Sequence, residues 1–134
     1  MIKDIPIKKV EGVAMAILPQ LVDTEAETWE VYLINLKKDS LHNVIVSSNG
    51  YGQMNDEVVR TSTLRHFFEK IPGLSYQKVE LIQTKVFSLH NEYLLSFSLD
   101  GHLYDRRYTF LSGSIDPGNF MDVPLLNRAG VLID

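Results

Sequence analysis

An all-β fold, an antiparallel β-sandwich, is what this 134-residue sequence predicts, and three observations carry the prediction. The first is the stretch from Glu92 to Leu111, E-Y-L-L-S-F-S-L-D-G-H-L-Y-D-R-R-Y-T-F-L. Apolar and polar residues alternate on both sides of Asp100-Gly101, a pair suited to the positive φ angles of a type I′ turn, so the segment reads as a hairpin. Pairing Leu99 with His102 sets Phe97 opposite Tyr104, Leu95 opposite Arg106 and Tyr93 opposite Tyr108 on one face. That face is aromatic and aliphatic while the other is mostly polar, as in a sheet that covers a core with one side. The second observation is that β-branched or alternating segments recur at a spacing of roughly 8 to 12 residues with turn chemistry between them. The third is that no heptad, solenoid period or low-complexity run competes with this pattern.

Taken in order, Glu11 to Leu18 predicts a first strand, halted by Pro19, which cannot donate to a ladder. An acidic surface loop of about eleven residues follows, rich in Asp, Glu and Thr. Trp29 to Leu36, W-E-V-Y-L-I-N-L, predicts a central strand, because Trp29, Val31 and Leu33 on one face and Tyr32, Ile34 and Leu36 on the other are all apolar. Lys37 to Ser40 leads into Leu41 to Ser48, a third strand expected to pair with the second as a hairpin. Asn49 to Asp56, with two glycines and two asparagines, reads as a mobile loop. Val58 to Phe68 resumes the alternation and stops before Pro72-Gly73, and Ser75 to Thr84 is the fifth strand. Val86 to Asn91 holds a turn or short helical element before the hairpin. Beyond Gly113, Asp116-Pro117-Gly118-Asn119 is a turn. Phe120 to Asp134, broken by Pro124 and Gly130, reads as an irregular tail over the end of the sheet. About seven strands in this arrangement suit a sandwich of immunoglobulin-like or fibronectin-like shape, or a partly open barrel.

Length and composition predict one β-rich domain over residues 1–134, with 45% hydrophobic and 22% charged residues, an ordinary globular balance. A formal charge of −4 argues against a nucleic-acid partner held by bulk electrostatics, since such binding needs a basic face. Adjacent strand residues point to opposite faces, so neither Arg106-Arg107 nor Lys37-Lys38 concentrates positive charge. The chain has no cysteine, which removes disulfides, thiol nucleophiles and cysteine-ligated zinc together. The N-terminal M-I-K-D-I-P-I-K-K-V lacks the apolar core of a signal peptide and no window reaches the roughly 18 apolar residues of a membrane span. A cytoplasmic protein without a membrane partner is the expectation.

Chemistry-bearing motifs are sparse. His42, His66, His90 and His102 invite a metal reading, and His90-Asn91-Glu92 has the H-x-E spacing of a zinc deaminase, but the cysteine half of that signature is missing. Ser47 or Ser48 with His66 and a carboxylate would compose a nucleophile triad, yet no G-x-S-x-G elbow presents one. The S-S-N-G-Y-G-Q loop offers backbone amides to an anion, but lacks the Gly-Lys-Ser/Thr ending of a phosphate loop. Arg106 is the informative residue, because the hairpin register puts it among Phe97, Tyr104 and Tyr108. Its stem is expected to lie over the aromatics, and its head to reach a carboxylate, an anion or a partner. With Tyr51 from the glycine-rich segment, Arg106, Tyr104 and Tyr108 form the candidate set for partner or anion contact. No catalytic, metal or cofactor-binding residue stands out, and no cofactor is expected.

The order V-Y-L-I-N, L-H-N-V-I-V-S-S-N-G-Y-G, T-F-L-S-G-S-I and V-P-L-L-N-R-A-G-V-L resembles a family of small uncharacterised bacterial β-rich proteins over nearly the whole chain. Members are sometimes labelled phenylalanyl-tRNA synthetase alpha subunits. That label does not fit this sequence, which is too short for the catalytic domain and has no class II synthetase motif. V-Y-L-I-N also resembles a strand of β-rich domains joined to Smr nuclease domains, without a nuclease segment here. Neither resemblance implies a catalytic residue. The expected function is therefore a non-enzymatic protein-binding or self-assembly domain, with a protein partner or a second copy of the chain. A ligand-binding protein or small enzyme with a dispersed pocket is the alternative, and a nucleic-acid-associated accessory role the third.

Overall fold

Strands that alternate apolar and polar residues must bury one face, and here two sheets do so against each other. The structure, a computed structural model, describes residues 8–20 and 27–134. The acidic loop expected after Pro19 falls mostly outside those residues, as does most of the N-terminal stretch. The strands are β1 (Lys8–Lys9), β2 (Val13–Pro19), β3 (Thr28–Asn35), β4 (Leu41–Met54), β5 (Glu57–Arg60) and β6 (Leu64–Ile71), followed by β7 (Ser75–Gln83), β8 (His90–Leu99), β9 (His102–Phe110), β10 (Met121–Val123) and β11 (Arg128–Ile133). One sheet runs β1-β9-β8-β4, where the long β4 pairs on its far side with β6 along Leu41–Ser48 and with β5 along Tyr51–Met54. The other runs β10-β11-β2-β3-β7. All pairs are antiparallel except the short β1–β9 contact. The fold is thus the predicted all-β sandwich, with no closed barrel.

The β8–β9 hairpin has the predicted register, Phe97 opposite Tyr104, Leu95 opposite Arg106 and Tyr93 opposite Tyr108. Asp100 and Gly101 take φ of +50° and +74°, the left-handed pair that a type I′ turn requires. The rings of Phe97 and Tyr104 stack in parallel, 5.0 Å between centroids. The main core lies between the sheets, where Met15, Ile17, Val31 and Leu33 face Val44, Val46, Tyr93, Leu95 and Phe97. Trp29 packs at its margin, edge-on to Phe87 and Phe120. The outer face of β2–β3 is apolar too. Ala14, Ala16, Leu18, Tyr32 and Ile34 are buried there with Val123, and Leu126 packs against them. This explains why both faces of W-E-V-Y-L-I-N-L read as buried.

Four expectations need correction. β4 does not form a hairpin with β3; it crosses to the opposite sheet and pairs with β8 and β6. The crossover is set by Asn35, fully buried, whose Nδ2 donates to the carbonyls of Asp39 (2.9 Å) and Pro72 (3.0 Å) while its Oδ1 accepts from Lys37 N (3.0 Å). One side chain thereby pins the β3–β4 arch to the β6–β7 turn. Asn49 to Asp56 is not a loop: β4 runs through it to Met54, and the turn is Asn55-Asp56, with φ of +52° and +63°. The expected single segment Val58 to Phe68 divides into β5 and β6, because β4 outruns β6 and needs a second partner. The tail is not irregular. It folds into the β10–β11 hairpin, and β11 joins the sheet beside β2. Its Val123 and Leu126 cover the chain's own core.

Candidate functional site

A strand normally sends alternate side chains to opposite faces, and β7 departs from that rule at one point. Val31 of β3 pairs with Glu80, but its neighbour Tyr32 pairs with Lys78, which leaves Val79 as the extra residue of a β-bulge. The bulge reverses the alternation, so Glu80 points between the sheets and Leu81 outward, 52% exposed. Glu80 thus enters the sandwich where β6 and β7, the bordering strands of the two sheets, lie side by side.

Three donors from the opposite sheet meet it. Ser48 Oγ donates to Oε1 at 2.8 Å and His66 Nε2 to the same oxygen at 2.7 Å. Tyr93 Oη donates to Oε2 at 3.1 Å. The pairings explain the convergence: Ser48 is the direct cross-strand partner of Tyr93, and His66 pairs with Val46 one step along the same face of β4. The Glu80 side chain is 10% exposed and that of His66 26%. Burial, reinforced by the neighbouring negative charge and its hydrogen bond, holds the Tyr93 phenol well above its usual value, so it stays a donor. A cavity of about 240 Å³ opens beside this cluster, between Ser48, Thr61, Leu64, Glu80, Val86 and Tyr93.

The cluster joins Ser48 and His66, two residues of the notional triad, but not in a relay. A serine nucleophile needs its hydroxyl on the imidazole and the imidazole on the acid. Here serine and histidine both donate to one carboxylate oxygen. The arrangement is a carboxylate held by three donors and not a serine–histidine–acid relay. Among the described residues no group of three or more His, Cys, Asp or Glu is spaced to hold a metal ion.

The residues singled out from sequence lie elsewhere. Arg106 lays its guanidinium over the Tyr108 ring, 4.2 Å from the centroid, and donates to the main-chain oxygen of Asp134 at 2.7 Å. Tyr108 Oη donates to Val13 O at 2.6 Å, and burial pushes its pKa up to about 12 although Arg106 acts in the opposite direction. Arg106 and Tyr108 therefore tie the hairpin to the second sheet, while Tyr104 stacks on Phe97 within the hairpin. Tyr51 is apart from them, near the start of β8, with its ring 5.2 Å from His90 and Arg60 above it at 5.5 Å. Sequence reasoning missed Glu80. The signal was the run V-E-L-I inside Ser75–Gln83, where no single alternation puts all three apolar residues on one side.

The other enclosed carboxylate is Glu30, whose side chain is also 10% exposed and which is held by Lys78 on one oxygen and Arg128 on the other. Burial raises its pKa, but the hydrogen bonds and charges of the two cations outweigh that and keep it below the usual carboxylate value.

The outer face of the six-stranded sheet is different in kind, with Ile45, Phe67, Leu94 and Leu103 exposed among serines and charges. Two shallow depressions there share Ile45, Ser96 and Asp105. No helix among the described residues is long and apolar enough to cross a membrane. A scan against protein-family models and a search of curated proteins each find no match for the chain.

Proposed function

We propose that this chain is a non-enzymatic protein-binding module whose partner is a second copy of itself, docked through the outer face of the six-stranded sheet. The observation that carries the proposal is the self-complementary pattern of that face. Cross-strand register places Arg65, Ser47, Leu94 and Arg107 in one row and Phe67, Ile45, Ser96 and Asp105 in the next. A two-fold axis running across the strands between these rows sets Arg107 against Asp105 of the second copy and Arg65 against its Phe67. It also sets Leu94 over Ser96 and Ile45 over Ser47. Leu94 and Ile45 then each meet a serine, and each arginine meets an anion or an aromatic ring, as suits an isologous interface. Exposed apolar side chains grouped on a single face support the same reading, since large apolar patches on a soluble protein commonly mark interaction sites. Sheets stacked face to face also pack well at small angles. A chain that folds without cysteine suits the reducing cytoplasm as the place of work.

Light scattering after gel filtration over a range of concentrations tests this. The expected mass rises from 15.3 kDa toward twice that value. Asp105→Arg places like charges together and should hold the chain monomeric, while Asp105→Arg with Arg107→Asp restores the pairing. A wild-type chain that stays monomeric up to about 1 mM, a concentration at which even a weak interface is populated, overturns the proposal. So does a double variant that dimerises no better than the single one.

A further inference from the structure

Independently of self-association, we infer that the cavity beside Glu80 binds a small organic cation, a primary ammonium on a short apolar stem. The inference starts from a contrast inside the molecule. Glu30 and Glu80 are equally enclosed, each with a side chain 10% exposed. Glu30 is neutralised by two permanent cations, Lys78 and Arg128. Among the described residues Glu80 has no lysine or arginine partner, and the one donor on it that can carry a positive charge is His66. Charges withdrawn from water are ordinarily paired, so the carboxylate that the fold leaves without a permanent counter-charge is the one beside open space.

Lone-pair counting gives the same answer. An ionised carboxylate offers about four acceptor sites. Oε1 takes Ser48 and His66, and Oε2 takes Tyr93 alone, so one acceptor position of Oε2 is left for a further donor. Leu64, Ile82 and Val86 supply apolar wall for a stem. An anion is refused by Glu80 itself, and a neutral stem leaves the acceptor unfilled. The cavity volume of about 240 Å³ admits a molecule of about ten heavy atoms or fewer.

The test is a titration of the full chain followed by two-dimensional amide NMR, with n-butylammonium chloride, n-butanol and sodium butyrate as probes. Butylammonium should shift the amides of Ser48, His66, Glu80 and Tyr93 saturably, with a dissociation constant on the order of 1 mM, as a ligand this small allows. Butanol should bind at least about tenfold more weakly, the ratio expected when a charge-assisted hydrogen bond is lost. Butyrate should leave those amides in place. Glu80→Gln should abolish the ammonium response with the rest of the spectrum preserved. Ser62→Trp, a change at an exposed residue of the cavity wall that leaves the Glu80 hydrogen bonds alone, should do the same if Glu80→Gln impairs folding. Equal shifts from butanol and butylammonium, no saturable shift from butylammonium, or an undiminished response in the Ser62→Trp chain would each overturn the inference.

Discussion

Replacing Gly73 by alanine tests how tightly the two crossovers of this sandwich are locked together. A Cβ at Gly73 would lie 2.0 Å from the carbonyl oxygen of Lys38, 2.5 Å from its carbonyl carbon and 3.0 Å from the oxygen of Lys37. All three atoms are backbone, so no side chain can swing aside. The turn after β6 must instead retreat from the arch after β3 by about 1 Å or more to restore van der Waals separation. That retreat breaks the Leu74 N to Lys37 O hydrogen bond of 2.9 Å and the Asn35 Nδ2 to Pro72 O bond of 3.0 Å. Each is worth about 1 kcal/mol, and a buried donor left poorly satisfied on Asn35 adds about 1 to 3 kcal/mol. Glycine's greater freedom in the unfolded chain offsets about 0.4 to 1 kcal/mol of this. The expected net loss is therefore about 3 kcal/mol, read from urea melts with an unchanged slope. Gly101→Ala is the control. Its φ of +74° is strained for alanine but nothing lies within 4 Å of the new Cβ, so the loss should be about 1 kcal/mol, from conformation alone. A Gly73→Ala chain no less stable than Gly101→Ala would refute the account of the pinned crossovers.

Two other outcomes are expected. Leu33→Ala removes a side chain with no exposed surface from the main core and should cost about 2 to 5 kcal/mol in denaturant melts; a loss below about 0.5 kcal/mol would make β3 peripheral. Glu30→Gln should lower stability at pH 7 by about 1 to 2 kcal/mol through weakened bonds to Lys78 and Arg128. Because the folded state lowers the pKa of Glu30, the stabilisation is present above its ordinary value of 4.5 and lost as pH falls through the lower folded value. The gap between wild type and variant should thus narrow as melts are taken below pH 4.5, and a gap that widens on acidification would contradict the sign.

What could be read from the sequence was local. The Asp100-Gly101 pair and the alternation around it determine the β8–β9 register because turn and strands lie within one short segment. Apolar residues on both faces of β3 likewise announced two buried surfaces. The choice of partner for β4 could not be read this way. It depends on Asn35 reaching across from β3 to the Pro72 carbonyl, a contact between distant segments. The glycines of S-S-N-G-Y-G-Q suggested a loop, but Gly50 lies close against Thr61, Asn91 and Leu89, where its lack of a side chain serves packing. Glu80 escaped notice because its orientation rests on one inserted residue, Val79, and a bulge resets the face of everything after it.

That same inserted residue bears on how this protein avoids aggregation. β7 borders its sheet, with the side away from β3 unpaired among the described residues, and an unprotected border strand is a template on which other chains add. An extra residue in mid-strand breaks the even spacing of amide and carbonyl groups that such growth copies, and Lys78 beside it adds a charge. In the dimer proposed above, a border closed in this way would leave the broad surface of the opposite sheet for association, where a two-fold contact closes on itself after two copies and does not continue into a fibre. Excising Val79 would restore a regular border, and open-ended growth at that edge is then the expected outcome.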